Sequence, residues 1–277
     1  MTTTENTVLT TVDDLVDAML SAHPPVVLDV RWRLGDPDGA AHYREGHLPG
    51  SVYVDLETEL AAPATPDAGR HPLPAIEDLQ EAARRWGVTV GDRVVVYDDW
   101  AGRAAARAWW LLRWAGVQDV RILDGGLGAW RSAGMRLSTG DATPRVGSVV
   151  LSAGQLPAVD IDDVDPDATL LLDARAPERF SGESEPVDPR PGHIPGAVNA
   201  PTGANVADDG TFLPADRLRR RFEEIGVGER PTVVYCGSGV TAAHEIAALA
   251  IAGFPATLYP GSYSQWSADE SRPVATD

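Results

Sequence analysis

The chain contains no lysine; all 23 of its basic residues are arginine. That absence excludes a Schiff-base lysine, a pyridoxal-phosphate anchor and a P-loop lysine together. Cysteine is almost as scarce. A single Cys, Cys236, rules out an intrachain disulfide and a multi-cysteine zinc site. Apolar runs are short: no stretch approaches the about eighteen uninterrupted apolar residues of a membrane span. The opening MTTTENTVLT lacks the basic flank and apolar core of a signal peptide, so a cytoplasmic protein is expected. Positive charge is also in deficit. Against 41 acidic residues the net charge is -18, which repels nucleic acid and anionic lipid, so neither is an expected partner.

The 277 residues are 43% hydrophobic, enough for one or two globular domains with cores of their own. The order of short motifs decides for two. VVLDVR, GHLPGSV, DRVVVYDD and LDGGLGAW in the first half are answered by LLLDAR, GHIPGAV, PTVVYCG and LYPGSYSQW in the second. Arg31 aligns with Arg175 and Trp130 with Trp266; order is kept and only loop lengths differ. This is a tandem duplication of a domain.

Within each half, apolar runs such as VVLDV and RVVVY read as buried strands. ARAWWLLRWAG and TAAHEIAALAIAG read as helices stopped by Gly116 and Gly253. Strands alternating with helices predict an α/β fold, each half a mainly parallel sheet flanked by helices. The two GH(L/I)PG segments are turns in which His47 and His193 are expected to be structural. Residues 8–134 and 153–277 are the expected domains. Residues 135–152 show no clear period and read as the connection between them.

Cys236 follows the apolar strand TVVY and precedes GSGVTAAHEIAALA, a glycine-containing turn that opens into a helix. The carboxyl end of a strand is where open α/β sheets bind ligands. Backbone N–H groups from Gly237 to Thr241, together with the helix N-terminus, favour negative charge on the cysteine sulfur. A buried, inert cysteine is the plain alternative, but it needs no glycines and no helix start behind it. A cysteine phosphatase requires an arginine six positions on, where Ala242 stands, and the loop itself holds no basic residue. A serine-hydrolase elbow centred on Ser238 requires glycine where Cys236 stands. Composition leaves a Cys–His pair open, without a local signature for it. Sulfur transfer through Cys236 fits best, and it needs no metal or organic cofactor.

With LDAR, GHIPGAVN and Cys236-Gly-Ser-Gly-Val-Thr in place, the chain resembles the two-domain rhodanese family from VVLDVR to YSQW. The resemblance implies two tandem rhodanese-like domains, a silent first copy with Asp98 in the position of Cys236, and a catalytic second copy. Relatives with Cys-Gly-Ser-Gly loops use 3-mercaptopyruvate, whereas thiosulfate users carry basic side chains in the loop. The favoured donor is therefore 3-mercaptopyruvate, with thiosulfate:cyanide sulfur transfer as the alternative. A cysteine phosphatase or an inactive binding module stands behind both.

By the same resemblance Arg179, in APERF, binds the anionic end of the donor. Arg190, in SGESEPVDPRP, is a second candidate whose bland reading is a surface ion pair. Gly237, Gly239, Val240 and Thr241 cradle the sulfur. His71 in GRHPLP and Glu57 in VDLET match a relay to Ser238, with Glu standing where the family has Asp. The expected partners are a small-molecule sulfur donor and a thiol, cyanide or thioredoxin-like acceptor.

Overall fold

The computed structural model describes residues 8–276. It resolves into two compact units whose borders do not follow the sequence repeat. The first takes in the described residues up to Leu60, then Pro74–Gln155 and Asp208–Phe212. The second holds Ala61–Leu73, Leu156–Ala207 and the chain from Leu213 onward.

In the first unit, β1 (Leu9–Thr10), α1 (Val12–Met19), β2 (Val26–Asp29), α2 (Gly39–Glu45), β3 (Val52–Tyr53) and α3 (Leu56–Glu59) come first. They are followed by α4 (Ile76–Arg85), β4 (Arg93–Tyr97), α5 (Ala105–Trp114), β5 (Asp119–Leu123) and α6 (Gly126–Ser132). The strands form one parallel sheet in the order β1-β5-β4-β2-β3. Leu15, Val27, Val95, Tyr97, Leu127 and Trp130 pack a core on it. The run expected as a connection, 135–152, forms no helix and no strand beyond an isolated bridge of Ser138 to His47. Nor is it a loose tether. Gly147, Val149 and Ser152 donate N–H bonds to the carbonyls of Arg84, Val88 and Ala115, so it is fastened along the first unit.

The second unit contains β6 (Leu170–Asp173), α7 (Pro177–Phe180), β7 (Val198–Asn199), α8 (Ala215–Glu224), β8 (Thr232–Tyr235), α9 (Val240–Ala252), β9 (Thr257–Leu258) and α10 (Ser262–Ala268). Its parallel sheet runs β7-β6-β8-β9, with Leu172 opposite Val234 at its centre. β8 is buried along its whole length, as its unbroken apolar run requires. α9 is buried on nearly every side because Ala, Ile, Leu and Val surround its axis, and Gly253 ends it in the left-handed region at φ 83°.

The strand order has a consequence for the site. The chain leaves β6 towards β7 on one side and leaves β8 towards β9 on the other. The crevice at the carboxyl ends of β6 and β8 is therefore a topological switch point, where the loops diverge and leave a hollow. Cys236 and α7 both start from it.

The paired motifs build the same devices in each unit. Arg31 folds back on Asp29, and Arg175 on Asp173. His47 stacks on Tyr43, and His193 on Phe180, each ring bonding a backbone carbonyl through Nδ1. Those histidines hold turns, as their setting between Pro and Gly suggests. Among the described residues no helix is long and apolar enough to cross a membrane.

Candidate active site

Tyr235, the last residue of β8, is fully buried, and the chain turns at Cys236 to enter α9. Three bonds hold the turn from behind. Cys236 N–H donates to Ser262 Oγ at 3.2 Å, and the carbonyls of Cys236 and Gly237 accept from Tyr263 and Ser264 N–H at 2.9 and 2.8 Å. With these carbonyls tied to the start of α10, the amide groups of the loop are left for the inner side. Gly239 shows what they do: it sits at φ 80°, where a side chain is strained, and its N–H points at Cys236 Sγ from 3.1 Å. Cys236 is 2% exposed, the only cysteine in the chain, and free. Val240 is equally buried, and Thr241 half-buried. The Gly239 N–H directed at the sulfur, at the entry to a helix, is a setting that favours negative charge there.

Ser238 is buried and its Oγ lies 2.7 Å from His71 Nδ1. His71 arrives on 61–73, the segment of the first sequence half that belongs to the second unit. That segment is closed on itself by Ala62 N–H to the Pro72 carbonyl, and Gly69, at φ 86°, packs where a Cβ would fall 2.6 Å from the Gly261 carbonyl. Glu57 is a residue of the first unit, where it lies in the single turn of α3 and accepts from Trp32 Nε1 at 2.7 Å.

Arg179 is on α7, at the switch point. Its Nε and Nη2 donate to Glu185, and Nη2 also to Asp188 at 2.9 Å. Burial pushes the Glu185 carboxyl up, but hydrogen bonds from Arg179 and from the backbone of Val187 and Asp188 outweigh it and hold the group below its ordinary value. Asp188 goes the other way: burial raises it and the charge of Arg70 only partly offsets that.

Arg70 is the residue that sequence reasoning missed. It pairs with Asp188, so that one buried carboxylate bridges Arg70 and Arg179. Both guanidinium groups crowd Gly237. A Cβ there would lie 2.9 Å from Arg70 Nη2 and 3.3 Å from Arg179 Nη1. The loop carries no basic side chain of its own, yet two cations reach its second residue from elsewhere. The available signal was position: Arg70 directly precedes His71, which had been singled out.

Arg190 leaves the set. Its guanidinium is spent on backbone, with Nε bonding the carbonyl of Ser267, Nη1 that of Arg272, and Nη2 those of Trp266 and Asp269. These are the carbonyls at and beyond the end of α10, which lack partners within the helix. Neither an exposed ion pair nor a donor site, Arg190 is a clamp on the carboxyl-terminal segment. Among the described residues no cluster of His, Cys, Asp and Glu is arranged to hold a metal ion.

Comparison with known proteins agrees with the fold. The family model described as Rhodanese-like domain matches residues 11–133 and 160–269. The chain is 50% identical over 273 residues to a putative thiosulfate sulfurtransferase, SseB, of Mycobacterium tuberculosis, covering 96% of both chains. A probable 3-mercaptopyruvate sulfurtransferase of Pseudomonas aeruginosa is 47% identical over 274 residues, covering 94% of this chain and 95% of the relative. Among solved structures, SseA from Escherichia coli, a 3-mercaptopyruvate sulfotransferase, superposes with a TM-score of 0.82 at 34% identity. That match covers 92% of this chain and 98% of SseA.

Proposed function

Since the chain belongs to the rhodanese-like domain family, we propose that it is a sulfurtransferase moving sulfane sulfur from 3-mercaptopyruvate to a thiophilic acceptor through a Cys236 persulfide. The observation that carries this reading is the Gly239 N–H directed at Cys236 Sγ in a loop without a phosphatase arginine. That loop suits an anionic sulfur and offers a phosphate little.

The Cys236 thiolate attacks the donor sulfur, an S–S bond forms and the C3–S bond breaks. The electron pair of that bond becomes the enolate of pyruvate, and the proton lost from the donor thiol balances the one that the enolate takes up. Arg179 holds the donor carboxylate. Ser238 hydrogen-bonds the ketone oxygen as charge gathers on it, and His71, at 2.7 Å from Ser238 Oγ, orients the hydroxyl and passes the proton. Amides from Gly237 to Thr241 hold the persulfide until cyanide, a small thiol or a thioredoxin-like protein takes the terminal sulfur and restores the thiolate. A thiol acceptor, which must be reduced to take the sulfur, suits the cytoplasm.

Thiosulfate is the second reading for the donor. It is favoured by the two guanidinium groups at Gly237, which give a compact dianion the charge that the loop lacks. The deciding experiment treats the purified protein with each donor and weighs it intact. One added sulfur atom, absent in Cys236→Ser, is the expected result. If neither donor adds sulfur, the reading fails; faster loading by thiosulfate would overturn only the choice of donor.

A further inference from the structure

We propose that the first unit, which has no cysteine, carries a ligand site of its own. It is an apolar groove beside α1 and α6 that takes an alkyl carboxylate, with the chain along the groove and the carboxylate on Arg136. The site concerns the first unit alone and does not depend on the sulfurtransferase reading.

The groove follows from where two helices stop. Leu15 of α1 is in the core, and Val12, Val16 and Met19 pack against it at the spacing of one helix face. α1 ends at Met19 and α6 at Ser132, leaving a hollow of about 420 Å³ beside Trp130 and Met135. Val16, Met19 and Leu20 complete its apolar lining, and Arg136 is its one charged residue. Leu20 is 81% exposed, so apolar surface there stands in water. The volume falls within the range of small-ligand pockets, about 300–1,000 Å³, and so does a lining that is apolar with a single polar group.

Arg136 is free to serve this site. The carbonyls at the helix ends are already bonded. Those of Val16 and Ala18 accept from Leu20 and Ser21 N–H, and those of Ala129, Trp130 and Arg131 accept from Ala133, Met135 and Gly134 N–H. The Arg136 carbonyl accepts from Trp130 Nε1 at 2.9 Å, which fixes its backbone beside the groove. Its side chain is exposed and has no partner among the described residues.

The second unit shows what an arginine at this place takes. Pairing Trp130 with Trp266, as the repeat does, also pairs Arg136 with Arg272, each six residues further on. Arg272 lies over the Trp266 ring, 4.9 Å from its centroid. It bonds Asp162, in the 3-10 turn Ile161–Asp163 that precedes β6 as α1 precedes β2, and pairs with Asp269 at 3.3 Å. Two carboxylates of the chain itself thus serve that arginine. In the first unit Ala133 stands where Asp269 does, and α1 presents Val16 and Met19 to the hollow. An alkyl carboxylate supplies both missing parts, an anion for the guanidinium and a chain for the apolar lining.

The test titrates the full-length protein with octanoate, decanoate and the neutral analogue octanol, each below its micelle or solubility limit. The chain has three methionines, and Met19 and Met135 line the groove, so their ¹³C-labelled methyl resonances report binding there and not at the cysteine loop. Both methyls are expected to shift together and saturate at one Kd. Decanoate should bind about tenfold tighter than octanoate, since each buried methylene is worth about fourfold. Octanoate should bind about threefold or more tighter than octanol. Arg136→Gln should erase that preference, and Leu20→Gln should weaken octanoate and octanol alike; both positions are exposed, and a wild-type melting temperature confirms each variant's fold.

Methyl shifts that are absent or fail to saturate would overturn the site. Equal affinity for octanoate and octanol, unchanged in Arg136→Gln, would overturn the carboxylate as its ligand. Wild-type affinities in Leu20→Gln would place the bound chain outside the groove and overturn the assignment.

Discussion

Asp98 stands at the carboxyl end of β4 where Cys236 stands at the end of β8, and it fills the loop behind it with its own carboxylate. Oδ1 accepts from the N–H groups of Trp100 and Gly102 at 2.8 Å, and Oδ2 from those of Ala104 and Ala105 at 2.8 and 2.9 Å. The strand-to-helix loop that holds Cys236 in the second unit is filled by a carboxylate in the first. Burial pushes the Asp98 carboxyl up, and the four amides pull against it. Asp98→Asn keeps one acceptor oxygen but turns an NH₂ group against two amide donors. A stability loss of about 2–4 kcal/mol is expected, read by urea unfolding. Sulfur loading of Cys236 in the folded fraction should persist; an unchanged midpoint would show that the loop does not depend on the carboxylate.

Ser238 gives a prediction that separates the two donors. With mercaptopyruvate the leaving group is the enolate of pyruvate, whose oxygen needs a hydrogen bond and whose carbon needs a proton. Sulfite leaves thiosulfate already stable and needs neither. Ser238→Ala should therefore lower turnover with mercaptopyruvate by about 10²-fold and spare thiosulfate. His71→Asn should follow the same pattern, since Nδ1 touches Ser238 Oγ. Steady-state assays with both donors check it, and equal losses would remove Ser238 from the chemistry of the leaving group.

Glu245 carries a pH dependence that is independent of catalysis. It is buried on α9, accepts from Asn205 Nδ2 at 2.6 Å and lies 3.5 Å from Arg221. Burial, only partly offset by Arg221, raises its pKa from 4.5 to about 7. The folded value lies above the unfolded one, so its contribution is full below about pH 4.5 and is lost as pH rises through about 7. The loss is about 3 kcal/mol. Glu245→Gln cannot ionise; between pH 5 and 8 its melting temperature should fall less than that of the wild type. Parallel profiles would show that Glu245 stays charged throughout.

Cys236, Ser238 and the glycines were legible because their message is local: an apolar strand, a glycine turn and a helix start in one short run. Arg179 was legible by resemblance, and the strand order explains why α7 brings it to the switch point. Arg70 was not, because 61–73 has neither strand nor helix period. Its membership of the second unit depends on distant partners such as Gly261 and Ser264. For 135–152 the same silence suggested only a connection between domains, and its amides bond to carbonyls far back in the chain. Missing periodicity says that a segment is irregular, not that it is unattached.

Arg190 was misjudged for a related reason, and it supplies the sharpest control on the site. Nearness in sequence to Arg179 and to acidic residues says nothing about where a long side chain points. The structure turns it to four carbonyls at and beyond the end of α10, and its own carbonyl accepts from Tyr263 Oη at 3.0 Å. Removing the guanidinium leaves those carbonyls without a partner at a helix end, each a modest loss that adds to its neighbours. Arg190→Ala should lower stability by about 2–4 kcal/mol yet leave the half-saturating donor concentration within a factor of about two, because its guanidinium is engaged with four backbone carbonyls. Thermal unfolding and donor titration on one sample distinguish this from donor binding. A large rise in that concentration with no change in melting would return Arg190 to the binding site.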